Sequence, residues 1–404
     1  MIKRESYLRR IRPFIGTDIV KVLTGIRRCG KSVMLSQIQE DLLAGGVARD
    51  HVIALNFESF STLEFRTAER LHEEIRRRAA GLSGKVYLFF DEIQEVDGWE
   101  KCVNSLRVDL DCDITVTGSN SRLLSGELAT YLAGRYVQFV IFPFSFAEFS
   151  ELWRAARPGT DTSACFRQYL LTGGMPYLHS IGYEKELCRQ YLLDLFSSVE
   201  IRDIVKRNSI RDVDMLERLI AYVTDNIGST FSSQAISKYL KSEKRSVSTP
   251  TVMNYLKACT DAYLFHQIRR EDLRGKKILT VNEKYYAADH GFKEALFGDN
   301  ARDMNLVLEN IVCVELLRRG YAVTVGKNGE KEIDFVCRKG SSLLYIQVTC
   351  WLSSEETVRR EFGAFEGIRD HFPKLVVSLD DFDLSRNGIR HWNIRDFLLD
   401  PSWG

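Results

Sequence analysis

No part of this 404-residue chain is apolar for long. Its longest apolar runs, such as Val86–Phe90 and Phe139–Phe144, fall far short of the roughly 20 residues a membrane-crossing helix needs. Met1-Ile2-Lys3-Arg4 leads into charge rather than into an apolar segment, so a secretory signal is not expected. A cytoplasmic protein without a membrane partner follows as the expectation. The nine cysteines include no Cys-x-x-Cys pair. Their odd number and scattered spacing argue against a disulfide framework or a structural zinc site. Cys259 and Cys313 fall on apolar faces of expected helices and read as small core residues. Net charge is also nearly absent, with 56 Lys and Arg against 55 Asp and Glu, so the chain as a whole is not a polycation for nucleic acid. No internal repeat or low-complexity tract appears. The remainder is ordinary globular composition, 45% hydrophobic and 27% charged, at a length that allows roughly two to four domains.

The first 155 residues alternate short apolar strands with helical patterns. Strands are expected at Val20–Leu23, Val52–Phe57, Val86–Phe90, Asp113–Thr117 and Tyr136–Ile141, with helices over Val33–Leu43 and around Thr67–Ala80. Uniformly apolar strands separated by helices imply a parallel sheet covered on both faces. The polar stretch Arg154–Ser163 reads as a linker.

Between the first strand and the first helix lies Gly25-Ile26-Arg27-Arg28-Cys29-Gly30-Lys31-Ser32, which fits G-x-x-x-x-G-K-[ST] in the strand-to-helix context the pattern requires. Glycines permit a backbone that turns its N–H groups around phosphates, and the helix N-terminus adds positive potential. Nucleotide would lie on Gly25, Arg28, Cys29, Gly30, Lys31, Ser32 and Val33. Lys31 would pair with the β- and γ-phosphates, and the Ser32 hydroxyl would be a Mg²⁺ ligand. Val86–Phe90 delivers Asp91 and Glu92 at its C-terminal end. Asp91 would hold Mg²⁺ through water, and Glu92 would polarise or orient the attacking water. Thr117-Gly118-Ser119-Asn120 ends the next strand. Asn120, with Ser119 second, is the candidate to orient that water; alternatively it caps a short helix Ser121–Leu124.

On these residues the sequence resembles the AAA+ superfamily of ATPases, with Gly25–Ser32 similar to its Walker A, Val86–Glu92 to its Walker B and Asn120 to its sensor 1. Residues 15–210 resemble more narrowly the prokaryotic ATP-binding proteins near the archaeal ATPases and the STAND signalling NTPases. The resemblance implies ATP and Mg²⁺ as cofactors, a helical lid, and an arginine-finger role for Arg135 on a neighbouring subunit's nucleotide, within a homo-oligomer such as a hexamer. Arg135 as a plain surface or salt-bridged arginine stays open. So does the role of Gly173-Gly174-Met175-Pro176, as a lid turn touching nucleotide or as a simple helix break.

In the middle of the chain, Ser232-Ser233 reads as the cap of a short helix Gln234–Lys241. Thr249 and Pro250 read as the N-cap and first turn of a second helix with an apolar stripe Val252, Leu256 and Cys259. A hairpin follows, from Tyr263–Arg269 through a basic turn Arg270–Lys276 to Lys277–Asn282. Helix, helix, hairpin is the order of a winged helix-turn-helix. Residues 231–277 hold ten Lys and Arg against four Asp and Glu, so this segment is +6 and the remainder −5. That is the electrostatic footprint of a duplex or branched DNA partner, with Lys257, Arg269, Arg270, Arg274, Lys276 and Lys277 as candidate contacts. A winged helix used as a protein-protein spacer is the competing reading.

The last hundred residues resemble the PD-(D/E)XK nuclease fold, with Asp334 at the metal-binding aspartate, Gln347 at the second acidic position and Thr349 at the lysine position. Gln347 is neutral and Thr349 lacks an ammonium, so metal would rest on Asp334 with Glu309 or Glu332. Lys331 is one candidate for the missing lysine. The expected fold class is therefore α/β: a P-loop NTPase parallel sheet (1–155), a helical lid (156–208), a winged helix-turn-helix (209–300) and a C-terminal α/β restriction-endonuclease-like domain (301–404) in which cleavage is not expected. The expected function is a Mg²⁺-dependent ATPase associated with DNA. A nucleotide-switched signalling or scaffold NTPase and an ATP-dependent nuclease are the alternatives.

Overall fold

The structure, a computed structural model, describes the chain except residues 1, 125–131, 133, 232–235, 239–247, 276, 299 and 404. It divides into two compact units. One holds Met1–Phe142 together with the short return Asp261–Tyr263; the other holds Pro143–Thr260 and Leu264–Gly404. Among the described residues no helix is long and apolar enough to cross a membrane.

In the first unit, β1 (Val20–Thr24), β2 (Val52–Asn56), β3 (Val86–Asp91), β4 (Cys112–Gly118) and β5 (Tyr136–Val140) form a parallel sheet in the order β2-β3-β4-β1-β5. The central strands are apolar along both faces because helices cover both, and every residue of β1 and β4 is buried. Leu88, Phe90, Ile114 and Val116 share one core with Leu71 and Ile75 of α3 (Ala68–Ala79) and with Trp99, Val103 and Leu106 of α4 (Trp99–Asp109). The Thr67 side chain caps α3, accepting from the Arg70 N–H. One buried ion pair crosses this apolar sheet, Lys21 of β1 with Asp113 of β4. Burial pushes the Lys21 ammonium below its usual range, and Asp113 opposes that. The strand order has a functional consequence. β4 lies between β1 and β3, so the loops leaving the C-terminal ends of these three strands emerge side by side.

In the second unit the aromatic side chains of Phe146, Phe149, Trp153, Phe166, Tyr169 and Tyr183 pack the helices Phe146–Ala156 and Thr162–Thr172 together. Ser145 and Glu148 close the first of these helices with a reciprocal capping box. The residues between them, expected as a linker from Arg154, are only a short turn. The two glycines of Gly173-Gly174 are required by a close approach inside this unit. A Cβ on Gly173 would stand 1.8 Å from Asp289 Oδ1, and one on Gly174 would stand 2.2 Å from the Phe144 carbonyl oxygen. The Asp289 carboxylate instead accepts from the N–H groups of Gly174 (2.7 Å) and Gly291 (2.8 Å).

The remaining strands make one eight-stranded mixed sheet: β6 (Thr230–Phe231), β7 (Phe265–Asp272), β8 (Lys277–Ala287), β9 (Ala322–Asn328), β10 (Lys331–Lys339), β11 (Ser342–Val348), β12 (Lys374–Ser378) and β13 (Arg390–Asn393), ordered β13-β12-β11-β10-β9-β7-β8-β6. Pairing of β7 with β9 carries the sheet continuously across residue 300. The hairpin is longer than the sequence pattern indicates. Arg270, Glu271 and Asp272, expected in a basic turn, pair with β9 inside β7, because partner strands on both sides satisfy a backbone whose side chains look turn-like. Ser248 rather than Thr249 caps the helix Thr249–Asp261, accepting from the Thr251 N–H at 3.3 Å. Val252, Leu256 and Cys259 are its buried stripe, as expected. The short helix expected over Gln234–Lys241 lies largely outside the described residues, which include only Ile236–Lys238 as helix. The helix expected over Glu355–His371 ends at Gly363.

Candidate functional site

The phosphate loop begins where β1 ends. Gly25 has φ 142°, and a Cβ there would meet the Ile141 carbonyl oxygen at 2.2 Å, so only glycine lets the loop pass under the chain leaving β5. Arg28 (φ 66°) and Gly30 (φ 103°) are left-handed and Lys31 opens α2 (Lys31–Ala44). Such alternation of left- and right-handed residues turns successive N–H groups into an anion-binding concavity, backed by a helix N-terminus. The Arg28 side chain, Ser32 and Val33 are exposed; Cys29 is buried, which pushes its thiol up. The Cys29 carbonyl accepts from Arg4 Nη1 at 3.2 Å, and that guanidinium lies 4.6 Å over the Tyr7 ring. Arg4 and Tyr7 belong to the N-terminal segment around α1 (Glu5–Ile11), so this segment props the loop from behind.

Lys31 Nζ donates to the carbonyls of Gly25 (3.1 Å) and Ile26 (3.2 Å) and lies 3.7 Å from Glu92 Oε1. Asp91, the last residue of β3, accepts from Thr117 Oγ1 at 2.6 Å, from Asn56 Nδ2 at 3.1 Å and from the Ser32 hydroxyl. Burial pushes the Asp91 carboxyl above its ordinary value against the pull of these donors. Glu92 is held at φ 52°, a strained conformation for a side chain of its size. Its N–H donates to Thr117 Oγ1 at 2.9 Å and its carboxylate accepts from Gln94 Nε2. Ser119 and Asn120 are buried at the end of β4, and the Asn120 carbonyl accepts from the Leu123 N–H in the single turn Ser121–Leu124. Arg135 is exposed, one residue before β5.

Lys31, Ser32, Asp91 and Glu92 thus meet, with Asn120 just beyond the end of β4, the strand between them. Three further residues belong to the site and were not legible as such. Thr117 bridges both acids, and Asn56 is in register with Asp91 across β2 and β3. Polar residues ending apolar strands were the available signal. Tyr263 had no local signal. Its hydroxyl donates to Thr24 Oγ1 at 2.8 Å, and Gln138 Nε2 lies 2.8 Å from both oxygens. Two residues earlier Asp261 accepts from Ser121 Oγ at 3.2 Å. The return Asp261–Tyr263 therefore touches the residue before Gly25 and the residue after Asn120.

The C-terminal candidates also converge, within the second unit. Glu309 on the helix Met304–Arg318 accepts from Tyr286 Oη at 2.5 Å and from Lys284 Nζ at 2.8 Å. Glu332 Oε1 is 3.0 Å from Lys284 Nζ, and Asp334 Oδ1 is 3.8 Å from it. Asp334 accepts from the Val348 N–H at 2.8 Å, while its own N–H donates to Gln347 Oε1 at 3.2 Å. Lys331, the expected stand-in, points elsewhere and bonds Gly363 and Glu366. The lysine among the acids is Lys284, from β8. Of the basic candidates, Lys257, Arg269 and Arg274 are exposed. Arg270 is half-buried and engaged by Glu332 at 3.0 Å, which removes it from the set available to phosphate. Lys276 and the Lys277 side chain lie outside the described residues.

A family model described as an AAA domain matches residues 17–150, the span holding all five strands of the first sheet and the phosphate loop. A second, a domain of unknown function, matches residues 164–303. An uncharacterized protein of Haemophilus influenzae is 37% identical over 400 residues, covering 99% of both chains. Uncharacterized protein MJ1544 of Methanocaldococcus jannaschii is 32% identical over 361 residues, covering 86% of this chain and 78% of its own. Among solved structures, the Walker-type ATPase PABY2304 of Pyrococcus abyssi superposes with a TM-score of 0.51 at 16% identity, covering 73% of this chain and 96% of its own. That likeness establishes an α/β fold with a P-loop-type parallel sheet.

Proposed function

The chain belongs to one family with the Haemophilus influenzae protein and MJ1544, and from its AAA domain we propose that it is a Mg²⁺-dependent ATPase. The observation supporting this is the meeting of Lys31, Ser32, Asp91 and Glu92 at the C-terminal ends of β1 and β3, the two strands that flank β4. Lys31, now held by two carbonyls and one distant carboxylate, can transfer its charge to the β- and γ-phosphates. A hydroxyl and a carboxylate in hydrogen-bond contact, Ser32 and Asp91, are a fitting donor pair for Mg²⁺, which would neutralise phosphate charge. Glu92 accepts the proton of the attacking water or orients it, held in aim by its N–H bond to Thr117. Asn120 orients the same water. Arg135, which is exposed, would act on a neighbouring copy's nucleotide. ATP turnover tests this. Glu92→Gln should bind ATP with unchanged affinity and turn over about 10²–10⁴-fold more slowly; an unchanged rate rejects the assignment.

For the downstream role, the +6 segment over residues 231–277 supports a duplex DNA partner bound through Lys257, Arg269 and Arg274. One observation favours a second reading, a nucleotide-switched scaffold for a protein partner. The hairpin β7–β8 is built into an eight-stranded sheet, which restricts its use as a wing in a DNA groove. ATPase rate with and without duplex DNA at two salt concentrations separates the two readings.

A further inference from the structure

Lys284 is buried, yet its ammonium stands within ion-pair distance of three carboxylates, at 2.8 Å from Glu309, 3.0 Å from Glu332 and 3.8 Å from Asp334. These groups come from three elements. Glu309 is on the helix Met304–Arg318, Glu332 and Asp334 are on β10, and Lys284 is on β8. The backbone is shaped for the meeting: β10 shifts register between Ile333 and Val336, bracketing Asp334, and β7 shifts between Ile268 and Arg270. Such irregularities re-aim side chains. Tyr286 donates to Glu309, Arg270 donates to Glu332, and the Val348 N–H donates to Asp334, so each acid also has a second partner.

Buried carboxylates that converge need a cation between them, because like charges in a poor dielectric cannot all stay ionised unaided. A divalent metal is one solution, and it gathers carboxylate oxygens at roughly 2.0–2.6 Å. The other is an ammonium at hydrogen-bond distance. Burial opposes the charge of Lys284, but Glu309, Asp334 and Glu332 together hold it above the ordinary lysine range. With Lys284 in place, no group of three acids, cysteines or histidines among the described residues is arranged to hold a metal ion.

We propose that Lys284 is a resident cation occupying the place a divalent metal would take between Glu309 and Asp334, closing this acidic centre to metals. The centre then works as a charge lock joining β8, β10 and the helix Met304–Arg318, and metal-assisted phosphodiester hydrolysis is not its role. Removing the ammonium while keeping the acids should open a divalent-cation site.

The probe is Mn²⁺ added to the nucleotide-free full chain, read by calorimetric titration and by thermal unfolding. Asp334→Asn and Glu332→Gln serve as blanks for this centre, while the phosphate loop stays intact throughout. Wild type and both blanks are expected to take up equal Mn²⁺. Lys284→Ala should gain one further site, with Mn²⁺ raising its unfolding temperature. That gain should vanish in Lys284→Ala/Asp334→Asn. Mn²⁺ uptake by wild type in excess of both blanks overturns the proposal, as does a folded Lys284→Ala chain that gains no site. Should Lys284→Ala fail to fold, wild type against the blanks decides alone: equal uptake upholds the resident cation, and an excess removes it.

Discussion

Each unit of this chain places a buried lysine before acidic side chains, and the two lysines are held in opposite ways. Lys31 donates to two main-chain carbonyls and stands 3.7 Å from its carboxylate. Lys284 has two carboxylates at 2.8 and 3.0 Å and a third at 3.8 Å. Neutral carbonyls give up an ammonium readily when an anion arrives, whereas carboxylates in a poor dielectric do not. The first lysine is thus available to a ligand and the second is committed to the fold. Lysine near acid is therefore a poor guide to function until partner charge and distance are known.

The comparison breaks most visibly if stability and binding fail to separate. Lys284→Met should lose about 3–5 kcal/mol in urea unfolding, the cost of stranding buried charge, while leaving ATP affinity alone. Next, Lys31→Ala should weaken ATP binding by about 100-fold or more, roughly 3 kcal/mol in calorimetric titration, with little loss of stability. If the Lys31 variant unfolds readily and the Lys284 variant does not, the assignment of roles is reversed. A smaller effect concerns exposed cations in the +6 segment. Replacing Arg269 and Arg274 by Ala should lower the salt slope of duplex DNA binding by about 2, one for each phosphate no longer neutralised; an unchanged slope favours the protein-scaffold reading.

A further effect is a pH dependence. Burial, aided by Glu217, pushes the Glu200 carboxyl up from 4.5 to about 7. The folded state then binds a proton the unfolded chain has lost. Stability contributed at this position is greatest below the unfolded value and falls as pH rises toward 7. Glu200→Gln should flatten that slope in thermal unfolding between about pH 4.5 and 7. Glu200 lies in a π-helical stretch, Val199–Lys206, unlike the α-helix Lys185–Ser198 before it, which ties the titration to an irregular element rather than to either lysine.

What could be read from sequence follows how local the physics is. The phosphate loop and Asp91-Glu92 were legible because strand, loop and helix are contiguous, and apolar central strands announce a covered parallel sheet. Thr117 and Asn56 join the site only through strand register. Lys284 was missed because its partners lie 25 residues or more away on a helix and a bulged strand, and Lys331, nearer in sequence, was the obvious substitute. Arg270 looked like a phosphate contact until Glu332 reached it across the sheet. The paired glycines at 173 and 174 had two open readings; Gly173 is needed because of Asp289, over a hundred residues on, and Gly174 because of the Phe144 carbonyl.

Tyr263 governs how the molecule can be dissected. The chain leaves the first unit at Phe142, comes back only for Asp261–Tyr263, and departs again. A fragment ending at residue 142 would include the whole nucleotide loop but not the phenol that meets Thr24 and Gln138, stranding two side chains beside the loop it was made to study. A single cut cannot yield the intact first unit. A faithful minimal version has to graft the three-residue return back on, by circular permutation or by a short bridge across the excised 118 residues.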